Sequence, residues 1–256
     1  MIDEVKLSQY REVVKKHMLK MADDFDKMKP HENPFYKLFP SRAGELGRSF
    51  DSKMGHVIEN IAFDICKLNY DDVSRKVTGV LFADQENHIA HTLSLYTTRS
   101  KTPEISDYSQ FQTSSMETSM NRPKDRCDIY VRDGDIHYLI EVKLGGDMDN
   151  KKSQGEKKHL LELYYIKSND LAGSSEEVRL FVGTAYNCCG EGVEFNQQRV
   201  LQFFSREELM IGAEFWNFVA KSEEGGKVIF DEFIKFAPIV DKSYAGAVAR
   251  MKTSIN

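Results

Sequence analysis

The sequence predicts an α/β fold in which helices flank a β-sheet. Three observations carry that prediction. Residues 124–152, KDRCDIYVRDGDIHYLIEVKLGGDMDNKK, hold two runs of alternating apolar and polar residues around Asp133-Gly134. An Asp-Gly pair in that setting is a strong hairpin signal. Apolar residues at helical spacing come before and after the hairpin, over 48–69 and from about Asp147 to Asn169. Residues 178–186, VRLFVGTAY, form a short run suited to a buried strand.

Residues 3–28 place Val5, Val13, Val14, Met18, Met21, Phe25 and Met28 at helical spacing, and Pro30 and Pro34 end that helix. The stretch 33–42 reads as a loop or short turn packing Phe35, Leu38 and Phe39. In the next helix, Asp51 or Ser52 is suited to cap a stripe of Met54, Val57, Ile58, Ile61, Ile65 and Leu68. Glu59 sits at the edge of this stripe, between the small residues Gly55 and Ala62. It fits a solvated edge or a carboxylate aimed at a metal. Arg48 and Ser49, just before the cap, are placed to meet a phosphate.

Residues 71–81 and 89–96 read as strands, on the strength of Val73, Val77, Thr78 and Val80. Residues 97–122, rich in Ser and Thr, read as a long loop that either contacts DNA or is disordered. After the hairpin, Gly145-Gly146 leads to a helix capped by Asp147, Asp149 or Asn150, with Leu160, Leu161, Leu163, Tyr164 and Ile166 buried. Its first turns carry Lys151, Lys152, Lys157, Lys158 and His159. Cations there oppose the helix dipole, so the cluster is either a solvated face or a phosphate site. Residues 187–196 form a loop, and helices follow at about 197–211, 213–221 and 228–252.

Bulk properties leave room for one large domain over 1–256, with an N-terminal helical region (1–47), a core (48–190) and a C-terminal helical region (191–256). A net charge of −5 excludes a generally basic nucleic-acid binder, so any such surface is a local patch. No run reaches the roughly 18 apolar residues of a membrane span, and the N-terminus lacks a signal peptide's apolar stretch. Four cysteines without CxxC spacing fit a reducing compartment, so the expected location is the cytoplasm.

The hairpin carries the chemistry. A type I′ turn at Asp133-Gly134 sets Arg132 opposite Asp135, Val131 opposite Ile136, Ile129 opposite Tyr138 and Asp128 opposite Leu139. One face is then apolar throughout, and the other bears Asp128, Tyr130, Arg132, His137, Leu139, Glu141 and Lys143. Asp128 and Glu141 become diagonal neighbours, roughly 7–8 Å apart at the backbone. Two such carboxylates can share one hard cation, and Mg²⁺ typically takes one or two carboxylates plus water and substrate phosphate. Lys143, two residues on, could orient an attacking water or steady charge on the phosphate. The same residues also fit the solvated polar face of a half-buried hairpin.

The helix–strands–hairpin–helix–strand order, with Asp128 and Glu141-Val-Lys143, resembles the PD-(D/E)xK nuclease superfamily. Glu59 matches the helix glutamate that often completes that site, whereas Cys127 stands where the superfamily's name has proline. RSFDSKMGHVIENIA, EVKLGGDMDNKK and FVGTAYN resemble type II restriction endonucleases of the TdeIII kind, over about residues 35–220. D…ExK alone is a weak signal; the three blocks together are specific.

The resemblance implies a central mixed β-sheet flanked by helices, with additional C-terminal helices. It implies Mg²⁺-dependent cutting of double-stranded DNA at a short palindrome, GGNCC for the TdeIII kind, with Mn²⁺ able to substitute. Asp128, Glu141, the Val142 carbonyl and Glu59 would hold metal, with Lys143 beside the attacking water. A palindromic site implies a homodimer, and the system would include a cognate DNA methyltransferase that is not a stable partner. Arg48, Ser49, Arg122, Lys124, Asn150, Lys151, Lys152, Lys158 and Asn187 are the candidates for DNA contact. Rival readings are a structure-selective or repair nuclease of the same fold, a catalytically inactive DNA-binding module, and a protein with a structural role only.

Overall fold

A computed structural model of the chain describes residues 2–28, 44–114 and 118–253. The loop expected at 33–42 lies outside the described residues. The chain forms two compact units: Met1–Ile65 with Trp216–Asn256, and Cys66–Phe215. Among the described residues, no helix is long and apolar enough to cross a membrane.

The first unit is helical. Helix α1 (Glu4–Asp26) is capped by Asp3, whose carboxylate accepts the Lys6 N–H. Its buried face is Tyr10, Val14, Met18, Met21, Ala22 and Phe25, while Val5, expected in that stripe, is 69% exposed. Helix α2 (Gly44–Asn69) starts well before the expected cap at Asp51 or Ser52, so Arg48 and Ser49 lie within it.

The second unit holds a five-stranded mixed sheet in the order β1-β2-β3-β4-β5, flanked by helices. Its strands are β1 (Asp72–Phe82), β2 (Thr118–Asp133), β3 (Ile136–Lys143), β4 (Glu177–Thr184) and β5 (Leu209–Ile211). The first three pair antiparallel; β3–β4 and β4–β5 pair parallel. Parallel neighbours need a crossover, which helix α4 (Asn150–Asp170) supplies between β3 and β4. Helix α3 (Ala83–Thr97) follows β1 and α5 (Ala213–Ala220) follows β5, while α6 (Gly225–Thr253) belongs to the first unit.

Three sequence expectations change. Residues 89–96 are helical, not extended. Gln85, Ile89, Thr92, Leu93 and Tyr96 recur every three or four positions and are buried, and that period outweighs local β-propensity. Residues 118–122 belong to β2 rather than a loop, because β1 supplies a backbone partner as far as Phe82–Thr118. Residues 209–211 are a strand beside Val182–Thr184, where a helix was expected.

The hairpin turn also moves by one residue. The ladder closes at Asp133–Ile136, leaving Gly134-Asp135 as the two-residue loop. Gly134 has φ +60°, and Asp135 is not among the residues with positive φ. Glycine at the first central position with only that φ positive is the type II′ pattern, whereas type I′ needs both. The shift changes which residues oppose each other but not which face each occupies.

Helix α4 packs on one face of the sheet through Leu160, Leu161, Leu163 and Ile166, against Tyr130, Leu139 and Leu180 from three adjacent strands. It is also pinned by Lys157, which is fully buried and ion-paired to Glu208. The Lys157 ammonium lies 4.9 Å from the Tyr108 ring centroid and 5.2 Å from that of Phe204. Glu208 also accepts the Ser205 N–H, at 2.8 Å.

Breaking one partner of a buried pair strands the other's charge, at a cost of about 3–5 kcal/mol. Lys157→Ala should therefore lower the unfolding free energy in urea by about that amount, and Lys157→Met with Glu208→Gln should restore most of it. A loss below about 1 kcal/mol for the single change would show that the pair does not hold α4 down.

Candidate active site

The candidate site lies where β2 and β3 run side by side beneath the N-terminal half of α4. The last paired residues of the hairpin ladder are Ile129 and Ile140. One step beyond, Asp128 comes directly opposite Glu141, closer than the diagonal placement expected from a turn at Asp133-Gly134. Asp128 Oδ2 accepts the Val142 N–H at 2.9 Å, which fixes that carboxylate against β3. Glu141 is 6% exposed. Lys143, on the same face, donates to Glu141 Oε2 at 3.4 Å.

Two elements of α4 complete the cluster. Glu156 Oε1 lies 2.9 Å from the Lys143 ammonium. His159 Nε2 lies 3.4 Å from Glu141 Oε1 and 2.9 Å from the Arg126 carbonyl. A carbonyl only accepts, so the His159 Nε2 carries a proton. Two residues of strand advance about 6.6 Å, and three residues of helix about 4.5 Å. One turn of α4 therefore spans Lys143 and Glu141. From the sequence, Glu156 had no assigned role and His159 was placed only in the candidate phosphate cluster, not beside the carboxylates. The available signal was their place on the face that continues into Leu160 and Leu163.

The electrostatics follow from crowding and burial. Burial, and then the charge of Glu141, push the Asp128 carboxyl up to about 6. For Glu141, burial acts upward too, but it is outweighed by the His159 hydrogen bond, the Lys143 charge and the hydrogen bond to Asp128, so its carboxyl falls below the ordinary value. As pH falls, Asp128 is therefore the first of the two to take a proton, at about 6. Burial would lower the Lys143 ammonium, but Glu141 and Glu156 outweigh it and raise it. Lys143 is therefore a cation at neutral pH.

A divalent ion fits this donor set. Two hard oxygen donors stand together, and the raised Asp128 carboxyl reflects an anionic charge not fully compensated by its surroundings. Among the described residues, no group of three or more His, Cys, Asp or Glu side chains is arranged to hold a metal. Two carboxylates suffice for Mg²⁺ when water and substrate fill the remaining positions.

The other expected residues are more scattered. Glu59, on α2 in the helical unit, is 8% exposed, with His56 Nδ1 3.7 Å from its carboxylate. Arg48 and Ser49 lie on the same helix, with Arg48 exposed. Arg122 pairs with Gly79 in the β1–β2 ladder and Lys124 belongs to the same strand; their side chains lie outside the description.

Helix α4 is capped by Asp149, which accepts the Lys152 N–H. Asn150, Lys151 and Lys152 are exposed there, and the Asn150 amide donates to Gln202 at 3.4 Å. Lys158 lies 3.7 Å from Glu162. The expected phosphate cluster is thinner than its sequence: Lys157 is buried against Glu208, and His159 turns to Glu141. The Asn187 side chain donates to the Val193 carbonyl and accepts the Cys189 N–H, so it is engaged within its own loop.

With this geometry in view, the chain matches, over residues 7–236, the family model described as type II restriction endonuclease, HinfI, and it belongs to that family. No curated protein and no solved structure matches. Membership makes the chain a site-specific endonuclease that binds DNA, and the matched span contains the whole carboxylate–lysine cluster.

Asp128 takes its proton more readily in the folded chain than in the unfolded one. Its contribution to stability is whole below the ordinary value of 3.8 and is lost as pH rises through about 6. Asp128→Asn removes that burden. In EDTA at about pH 8 the variant should melt above wild type, and the gap should shrink below about pH 6 and close near pH 4. A variant that melts lower at about pH 8 would show that the two carboxylates are not in conflict.

Proposed function

We propose that this endonuclease is of the PD-(D/E)xK type and hydrolyses double-stranded DNA with Mg²⁺ at a short palindromic site. The observation that supports this best is the pairing of Asp128 with Glu141, one step past the hairpin ladder, with the Lys143 ammonium on the same face. Asp128 and Glu141 would hold the ion, with the Val142 carbonyl as a further oxygen. When bound, Mg²⁺ supplies an activated water and neutralises charge developing at phosphorus.

Lys143 acts as a cation that hydrogen-bonds the attacking water or a non-bridging phosphate oxygen. Its raised ammonium value suits a donor better than a base. Glu59 is the remaining candidate ligand, to a second ion or to metal-bound water. The products carry a 5′-phosphate and a 3′-hydroxyl.

The likeness to the TdeIII kind makes GGNCC the first site to test, with Mn²⁺ as a substitute ion. A two-fold site read by one type of chain calls for a homodimer, one active site per strand. A cognate methyltransferase would protect host DNA without forming a stable complex, and the enzyme would act in the cytoplasm. Phosphate and base contacts are assigned to Arg48, Ser49, Arg122, Lys124, Asn150, Lys151, Lys152 and Lys158, with Asn187 in a supporting loop.

The test is incubation of unmethylated phage DNA with Mg²⁺, comparing wild type with Lys143→Ala. Wild type should give discrete bands, and the variant should be slower by about 10²–10⁴-fold, the range of a lost catalytic group. A structureless smear would argue for shape recognition instead. No cutting with any divalent ion would overturn the proposal.

A further inference from the structure

Lys143 ends β3 on a flexible four-carbon stem, so its ammonium needs an anchor to act at a defined place. The structure gives it two anionic partners, Glu156 at 2.9 Å and Glu141 at 3.4 Å. Glu141 is shared: its other oxygen faces His159, and it adjoins Asp128. Any cation drawn to Asp128 and Glu141 would compete with the ammonium for Glu141. Glu156, by contrast, comes from a different element.

Its backbone is also well held. The next residue, Lys157, is fully buried and paired to Glu208, so the turn of α4 carrying Glu156 is fixed from behind. The Glu156 side chain is 19% exposed and that of Lys143 is 15% exposed, a sheltered setting in which an ion pair is screened less than at the surface.

We propose that Glu156 is a positioning residue for DNA hydrolysis, holding the Lys143 ammonium over the site when Glu141 is engaged elsewhere. The proposal rests on the reading of Lys143 given above. Glu156 touches neither water nor phosphate in this role; it acts through Lys143. The relevant chemistry is one charge-assisted hydrogen bond, which narrows the ammonium's range of positions.

The experiment compares wild type, Glu156→Ala and Glu156→Gln in three measurements. The first is the single-turnover rate on unmethylated phage DNA with Mg²⁺. The second is affinity for the same DNA with Ca²⁺ in place of Mg²⁺. The third is the rate at which Lys143 is reductively methylated in metal-free protein, read by mass spectrometry against the exposed Lys152.

Glu156→Ala should lower the single-turnover rate by about ten- to a hundredfold, less than loss of the catalytic group itself, with DNA affinity unchanged within about twofold. Labelling of Lys143 relative to Lys152 should rise above the wild-type level. Glu156→Gln keeps an oxygen acceptor in place, so it should recover most of the rate and label at an intermediate level.

Equal single-turnover rates for wild type and Glu156→Ala would overturn the proposal, even if labelling of Lys143 changed. A parallel loss of rate and DNA affinity in both variants would also overturn it, since that pattern marks a structural role. A wild-type protein that cuts nothing is a different result: it removes the assigned reaction, and this proposal with it.

Discussion

Two carboxylates held side by side away from water repel each other, and the hairpin brings Asp128 and Glu141 into that position. Backbone pairing enforces it, because the register that ends at Ile129–Ile140 leaves the next two side chains opposed on one face. The surroundings then distribute compensation unevenly. Asp128 receives the Val142 N–H, while Glu141 receives Lys143 and His159. Asp128 therefore binds a proton more readily than Glu141, and an arriving divalent ion would favour the anionic form of both.

Helix α4 is the second half of this arrangement. It crosses back over the sheet after Lys143, so residues near its start overlie the end of β3. Burial of Leu160, Leu163 and Ile166 against Tyr130, Leu139 and Leu180 sets its depth. The Lys157–Glu208 pair pins the helix within its own unit. Glu156 and His159 reach the site because they sit one turn before that apolar contact. Core packing and site geometry are thus one constraint at this end of the sheet.

Much of this was legible in the sequence. The alternation in β2 and β3 identified the hairpin and put Asp128, Glu141 and Lys143 on one face, and this survived a one-residue error in the turn. It survived because the corrected pairing shifts by two residues, which preserves side-chain parity. Helix α3 was harder to see: its buried positions include Gln85 and Thr92, so polar residues interrupt the apolar stripe. The start of β2 was hidden by Ser and Thr, since backbone pairing with β1 holds that segment regardless of side chain. Glu156 and His159 were obscured by the four lysines around them, Lys151, Lys152, Lys157 and Lys158, which read as a surface patch. Only tertiary contact separates Lys157, turned inward, from Lys158, turned out.

The chain belongs to a family of type II restriction endonucleases, and the proposed chemistry would need a cation held by Asp128 and Glu141. The most direct measurement is an anomalous difference map from crystals soaked in Mn²⁺. The expected result is a peak beside Asp128 and Glu141, the residues that would hold the ion, with Lys143 still paired to Glu156. A peak bound elsewhere, with none beside these carboxylates, would contradict it.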